Sequence, residues 1–317
     1  MHSDYLYIQE LPTLSQELNL DICTVRDDHY PFYFGGNKAR KSRYIMQEIS
    51  DLGCNAVVTT GGIQSNHARV VALGAAERNW PCVLVLHGEG NEEMPRGNEK
   101  IMRLTGAIMK IVKPTDIANT IKESIEQLTE QRYKPYEVPG GGHCLAGSLA
   151  YADVIEQLKK LCNRTKWYPD YIIHASGTGT TQAGLLCGLR KIGWETRVIG
   201  ISIARCNPYG GKVVQEAYRQ IMEHLECSVN LGDVDFRDDW ICGGYEKADR
   251  SVFRTIGTIA KMEGLILDPT YTGKAFNGML NIIDSGEIPR YSKVIFWHTG
   301  GLMNLLASEQ SLTSFTL

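Results

Sequence analysis

Short apolar runs alternate along the chain with stretches of helical period. AVVTT (56–60), CVLVL (82–86), AIMKIV (107–112), YIIHA (171–175), VIGISI (198–203) and VIFW (294–297) have the length and composition of strands buried between two layers. KPYEV (134–138) is strand-like as well. Helical spacing falls between the runs, at 98–105, 117–130, 145–161, 181–191, 211–225 and 250–263. Such alternation predicts an α/β protein whose mostly parallel sheet carries helices on both faces. No internal repeat or low-complexity tract interrupts it. The clearest punctuation is VPGGGH at 138–143. It suggests a smaller α/β domain at 42–149, inserted into a larger one made of 1–41 and 150–317.

Composition narrows the function classes. At 317 residues the chain exceeds what one small core organises. A net charge of -3 leaves no basic excess for nucleic acid or an anionic membrane. The longest apolar runs are too short to span a bilayer. The opening MHSDYLYIQELP is polar and acidic, unlike a signal peptide, so a cytoplasmic location is expected. Nine scattered cysteines include no C-x-x-C pair, and H-E-x-x-H is absent. Free thiols are expected, with neither a disulfide framework nor a metal site.

Three glycine-rich loops stand out. The first is Gly35-Gly36-Asn37-Lys38-Ala39-Arg40-Lys41. Read alone, it is a turn before a solvated basic helix. Yet cations are disfavoured at a helix N-terminus, so their concentration there makes better sense with an anion in place. The second, Gly61-Gly62-Ile63-Gln64-Ser65-Asn66-His67, joins a strand to a helix. Its free N–H groups suit a carboxylate; the plainer reading is a βα loop with Ser65 or Asn66 as N-cap. The third, Ser176-Gly177-Thr178-Gly179-Thr180-Thr181, follows YIIHA and opens the next helix. It is a candidate phosphate cup, but neither a Walker A loop nor a clean dinucleotide fingerprint. One ligand with a phosphate, a group open to attack by lysine and an amino-acid partner satisfies all three loops. Pyridoxal 5′-phosphate (PLP) is such a ligand.

GGNKARK, GGIQSNHAR, SGTGTTQAG, LDPTYTGKAFNGM and HTGG, in that order from residue 35 to 301, resemble the fold-type II PLP family. Its members include D-cysteine desulfhydrases and 1-aminocyclopropane-1-carboxylate (ACC) deaminases. The resemblance implies a tryptophan synthase β-like fold of two open, mostly parallel sheets. It implies that Lys38 is the Schiff-base lysine and that Lys41 reaches the cofactor phosphate. Gly177, Thr178, Gly179, Thr180 and Thr181 would form the phosphate loop, and Asn66 would lie beside the ring 3′-oxygen. Ser65 and Tyr271 would assist catalysis. The substrate side would comprise Ser65, Asn66, His67, Tyr245, Tyr271 and Thr272. Thr299 would lie against the cofactor.

Two positions bear on the reaction. ACC deaminases typically have glutamate where Thr272 stands and leucine where Thr299 stands. The threonine pair is desulfhydrase-like. A hydroxyl can hydrogen-bond the ring nitrogen without adding charge, which makes a weaker electron sink and suits β-elimination. The expected reaction is therefore conversion of D-cysteine to pyruvate, sulfide and ammonia. ACC deamination, or a lyase or β-substitution reaction of specialised biosynthesis, is the alternative. Departures at Gly243–Ala248 and at His143, where relatives often have serine, bear on which amino acid is served. Family members are commonly homodimers, so two copies of this chain are the expected partners.

Overall fold

A computed structural model describes residues 5–227, 232, 234–310 and 315. Ten strands form two sheets. The strands are β1 (Ile8–Glu10), β2 (Asp21–Arg26), β3 (Ala56–Gly62), β4 (Cys82–His87), β5 (Ile108–Ile111), β6 (Pro135–Val138), β7 (Tyr171–Ser176), β8 (Arg197–Ser202), β9 (Asp235–Arg237) and β10 (Lys293–His298). The larger sheet has the order β1-β2-β10-β7-β8-β9, and the smaller β5-β4-β3-β6. Every pairing is parallel except the edge pair β1–β2.

All seven strand-like runs become strands. In β3, β4, β7, β8 and β10 the central residues are buried, as expected of parallel strands packed under helices on both faces, whereas the edge strands β5 and β6 of the smaller sheet are partly exposed. β1, β2 and β9 were not anticipated. β2 reads DICTVR, and its Asp21, Thr24 and Arg26 disguise a strand whose four central residues are buried. β1 and β9 are three residues each, too short to show a period. The helix Thr272–Asp284 was also missed. Its first turns hold Thr272, Gly273 and Asn277, residues of low helix propensity, yet it is buried from Thr272 through Met279. Packing on β7 and β8 there outweighs local preference.

The smaller sheet takes all its strands from 56–138, and the larger from 8–26 and 171–298. The helices Asn37–Asp51 and Leu145–Thr165 carry the chain between them. Both expected domain boundaries fall inside these helices rather than in loops. The larger sheet has a core on each face, one around Phe276, Phe296 and Ile199, the other around Tyr151, Leu185 and Trp297. A separate core around Met46, Leu84 and Val71 serves the smaller sheet. Among the described residues, no helix is long and apolar enough to cross a membrane.

Candidate active site

In parallel sheets the loops leaving the strand C-termini converge on one side, where ligands bind. Here the C-terminal ends of β3 and β4 and the segments that follow β3, β5, β6, β7 and β8 together line a cavity of about 380 Å³. Lys38, Ser65, His67, Thr178, Tyr245 and Tyr271 all face it. A recess of about 30 Å³ adjoins through Lys38, Gly177 and Tyr271, and adds Asn37, Asn66 and Thr299. A wider groove of about 670 Å³ lies elsewhere, near Arg197, Asp235 and Arg237. Arg197 and Arg237 there are paired with Glu287 at 2.7 and 2.6 Å, and among the described residues no cysteine, serine, lysine or histidine lines it.

Lys38 is set by the start of its helix. Gly36, the N-cap, has φ 91°, and a Cβ there would stand 2.9 Å from the Thr299 carbonyl oxygen. The Asn37 N–H donates to that oxygen at 3.0 Å, so glycine lets the helix dock on the end of β10. Asp27, buried beneath, fastens the same turn. It accepts from Arg40 at 2.6 Å, from the Trp297 indole at 2.7 Å and from the Tyr151 hydroxyl.

The Lys38 ammonium donates to the Gly141 carbonyl at 2.8 Å. Gly141 has φ 71°, and a Cβ there would lie 2.6 Å from Thr178 Cγ2. Loss of hydration, with the Arg205 charge added, lowers Lys38 to about 8. Lys41 is buried and donates to the Thr180 hydroxyl at 2.6 Å, at the first turn of the helix Thr180–Lys191. Burial, followed by the Lys38 charge, pushes it well below the usual lysine range. A bound anion would reverse both shifts.

Ser65 caps the helix Asn66–Glu77, accepting from the Ala68 N–H at 3.2 Å, and keeps its own proton to donate. Asn66 is oriented by its neighbours. Its Oδ1 accepts from Arg69 at 3.3 Å and from Asn98 at 3.0 Å. Arginine can only donate, so the oxygen end must face it, and the amide NH₂ is left for the recess. Thr59 gives its one proton to the Val138 carbonyl at 2.7 Å. His67, 2.9 Å away, must then donate to Thr59 from Nε2. Burial holds the ring well below the usual histidine range, so it is neutral with Nδ1 as an acceptor.

The Tyr245 and Tyr271 hydroxyls are 2.5 Å apart. Burial raises both phenols above the usual tyrosine range, so the pair holds its protons. Lys274 secures the loop bearing Tyr245, donating to the carbonyls of Ile203, Ile241 and Gly244 at 3.0, 2.9 and 2.7 Å.

Of the expected site residues, Lys38, Ser65, Asn66, His67, Gly177, Thr178, Tyr245, Tyr271 and Thr299 line the cavity or its recess, whereas Lys41, Gly179, Thr180, Thr181 and Thr272 do not. Thr272 is fully buried and does not reach the cavity. Its hydroxyl donates to Asp268 Oδ1 at 2.8 Å and accepts from the Asp268 N–H at 2.9 Å. That closed loop leaves no proton for a ligand, so its expected role in substrate binding is corrected: it shapes the turn under Tyr271. His143 and Cys144 also stay outside the lining. Thr60, His87, Gly141 and Arg205 line the cavity and were not anticipated. Their one signal in the sequence is position just after, or at, the end of a strand.

The site fits PLP by its donors. Lys38 is lowered toward neutrality, Lys41 and a helix N-terminus stand together, and the buried Thr178 hydroxyl has no protein partner. Orphaned buried donors are costly unless a ligand satisfies them. The profile of the family described as pyridoxal-phosphate dependent enzyme matches residues 7–300. The chain belongs to this family. It is a PLP-dependent enzyme of fold type II. A relative from Pyrococcus abyssi, provisionally named 1-aminocyclopropane-1-carboxylate deaminase, is 34% identical over 93% of this chain and 88% of its own. D-cysteine desulfhydrase of Klebsiella pneumoniae is 30% identical, covering 96% and 94%. The crystal structure of an ACC deaminase homologue superposes with TM-score 0.87 at 30% identity, covering 95% of this chain and 91% of that one.

Proposed function

We propose that the enzyme is a lyase that removes the β-substituent from a small amino acid, converting D-cysteine to pyruvate, sulfide and ammonia. One observation carries the choice. Among the described residues lining the cavity and its recess there is no carboxylate, and Thr299 lies in the recess. A carboxylate against the ring nitrogen would strengthen the electron sink that cyclopropane opening needs; a hydroxyl suits prompt expulsion of a leaving group.

Bound here, PLP supplies a carbonyl for the substrate amine and a sink for the electrons left at Cα. Lys41, Thr178, Thr180 and Thr181, with the N–H groups of Gly177 and Gly179, would hold its phosphate, and Asn66 would donate to its ring oxygen. Ser65 and the start of the helix Asn66–Glu77 receive the substrate carboxylate, with His67 behind them. Lys38 takes the Cα proton, since its burial disfavours the charged form. The Tyr245–Tyr271 pair keeps its protons and donates toward the leaving group. The residue sets 1–41 with 150–317, and 42–149, would act as two lobes across the cavity, in a cytoplasmic homodimer.

The test is an assay of sulfide and pyruvate from D-cysteine, beside 2-oxobutanoate from ACC. Stoichiometric sulfide and pyruvate are expected. Turnover of ACC without sulfide release would overturn the assignment.

A further inference from the structure

Arg205 is a cation that the reaction above does not use. It leaves β8 through a fixed turn: the Ser202 hydroxyl donates to the Arg205 carbonyl at 2.6 Å and accepts from the Ala204 N–H at 3.2 Å. The guanidinium lies 5.5 Å from the Tyr209 ring centroid. Its Nη1 is buried without a hydrogen-bond partner, and the residue lines the cavity that holds Lys38. A buried, unpaired guanidinium nitrogen is costly, and a planar donor of this kind matches an oxyanion.

Two anions come with the proposed chemistry already, and each has other donors. The phosphate cup centres on Lys41 and Thr180, 2.6 Å apart, and beside them the Thr181 hydroxyl accepts from the Asn37 amide at 3.2 Å. Gly177 and Thr178, at the edge of the phosphate loop, border the cavity that Arg205 faces, while Lys41, Thr180 and Thr181, where the cup centres, do not. The α-carboxylate has Ser65, after β3 of the smaller sheet, whereas Arg205 follows β8 of the larger. Glu246 sits on the Gly62 and His87 side of the cavity, its Oε1 3.1 Å from where a Gly62 Cβ would be.

We infer that Arg205 receives negative charge carried on the β-substituent of the substrate, and that the enzyme favours amino acids with an anionic group there. The thiolate of cysteine is the smallest such group; a sulfonate, carboxylate or phosphate ester is a fuller one. This rests on the proposed amino-acid site but not on D-cysteine being the substrate. The lowered Lys38, which feels the Arg205 charge, agrees with a cation left unneutralised until substrate arrives.

The test compares PLP-loaded wild type with Arg205→Met and Arg205→Lys. Binding of both enantiomers of serine, cysteic acid and O-phosphoserine is read from cofactor absorbance, with PLP affinity measured separately. Wild type should bind the anionic pair at least about tenfold more tightly than serine. Arg205→Met should abolish that preference while serine and PLP affinities stay within about twofold, and Arg205→Lys should keep part of it. Equal loss for serine and the anions would assign Arg205 to the α-carboxylate, and lost PLP affinity to the cofactor phosphate; either overturns the inference, as does a wild type without preference. Failure of sulfide release with the preference intact would instead count against the proposed reaction alone.

Discussion

At the residue scale the chemistry turns on Lys38. Its lowered value of about 8 arises from lost hydration and the Arg205 charge. The neutral amine should therefore grow from roughly a tenth of the population at pH 7 to roughly nine-tenths at pH 9. Pyridoxal, which lacks the phosphate, should react with the apoprotein about ten times faster at the higher pH, and not with Lys38→Ala. A rise centred near the ordinary lysine value of 10.5 would mean the pocket does not desolvate the amine. Tyr271 is the second test. Because burial keeps its phenol protonated, Tyr271→Phe removes a donor rather than a charge. We expect kcat for elimination to fall about 10²-fold with little change in KM.

The helix Asn37–Asp51 is the element that aims both site lysines. It is pinned by Asp27, which accepts from Arg40, Trp297 and Tyr151. Removing a charge from a buried pair strands the partner. Asp27→Asn should cost about 3–5 kcal/mol, read as a lowered urea midpoint at unchanged m. A surface-like loss of under about 1 kcal/mol would show that the cluster is only a neighbour of the fold. The helix beginning at Thr272 has a similar fastening. Asp268 accepts the N–H groups of Thr270, Tyr271 and Thr272 at 2.9, 3.0 and 2.8 Å, and so fixes the backbone that carries Tyr271.

At the scale of the whole molecule, the cavity is built from loops of both sheets, so cofactor binding and folding are linked. PLP at 100 times its Kd should add about 2.7 kcal/mol to stability, provided it binds only the folded chain. Pyridoxal at the same concentration should add less, since Lys41, Thr178 and Thr180 then have no phosphate to hold. Melting temperatures of apoprotein, holoprotein and the pyridoxal-treated sample measure the difference. Sedimentation equilibrium should return two chains per particle.

The sequence by itself determined the strand–helix alternation, the three glycine-rich loops and the resemblance that singles out Lys38. Those features are local: a period, a double glycine or a loop chemistry is readable within a dozen residues. Only the tertiary structure decided how the strands divide and order into two sheets, since parallel neighbours such as β2 and β10 lie far apart in the chain. It alone decided that the Thr272 hydroxyl is consumed by Asp268 and so cannot serve the ligand. It alone brought Thr60, His87, Gly141 and Arg205 to one cavity. Gly141 stands in the sequence only as part of a turn, the others only at or after strand ends, and each acquires its place in the site from what the folded chain sets across from it.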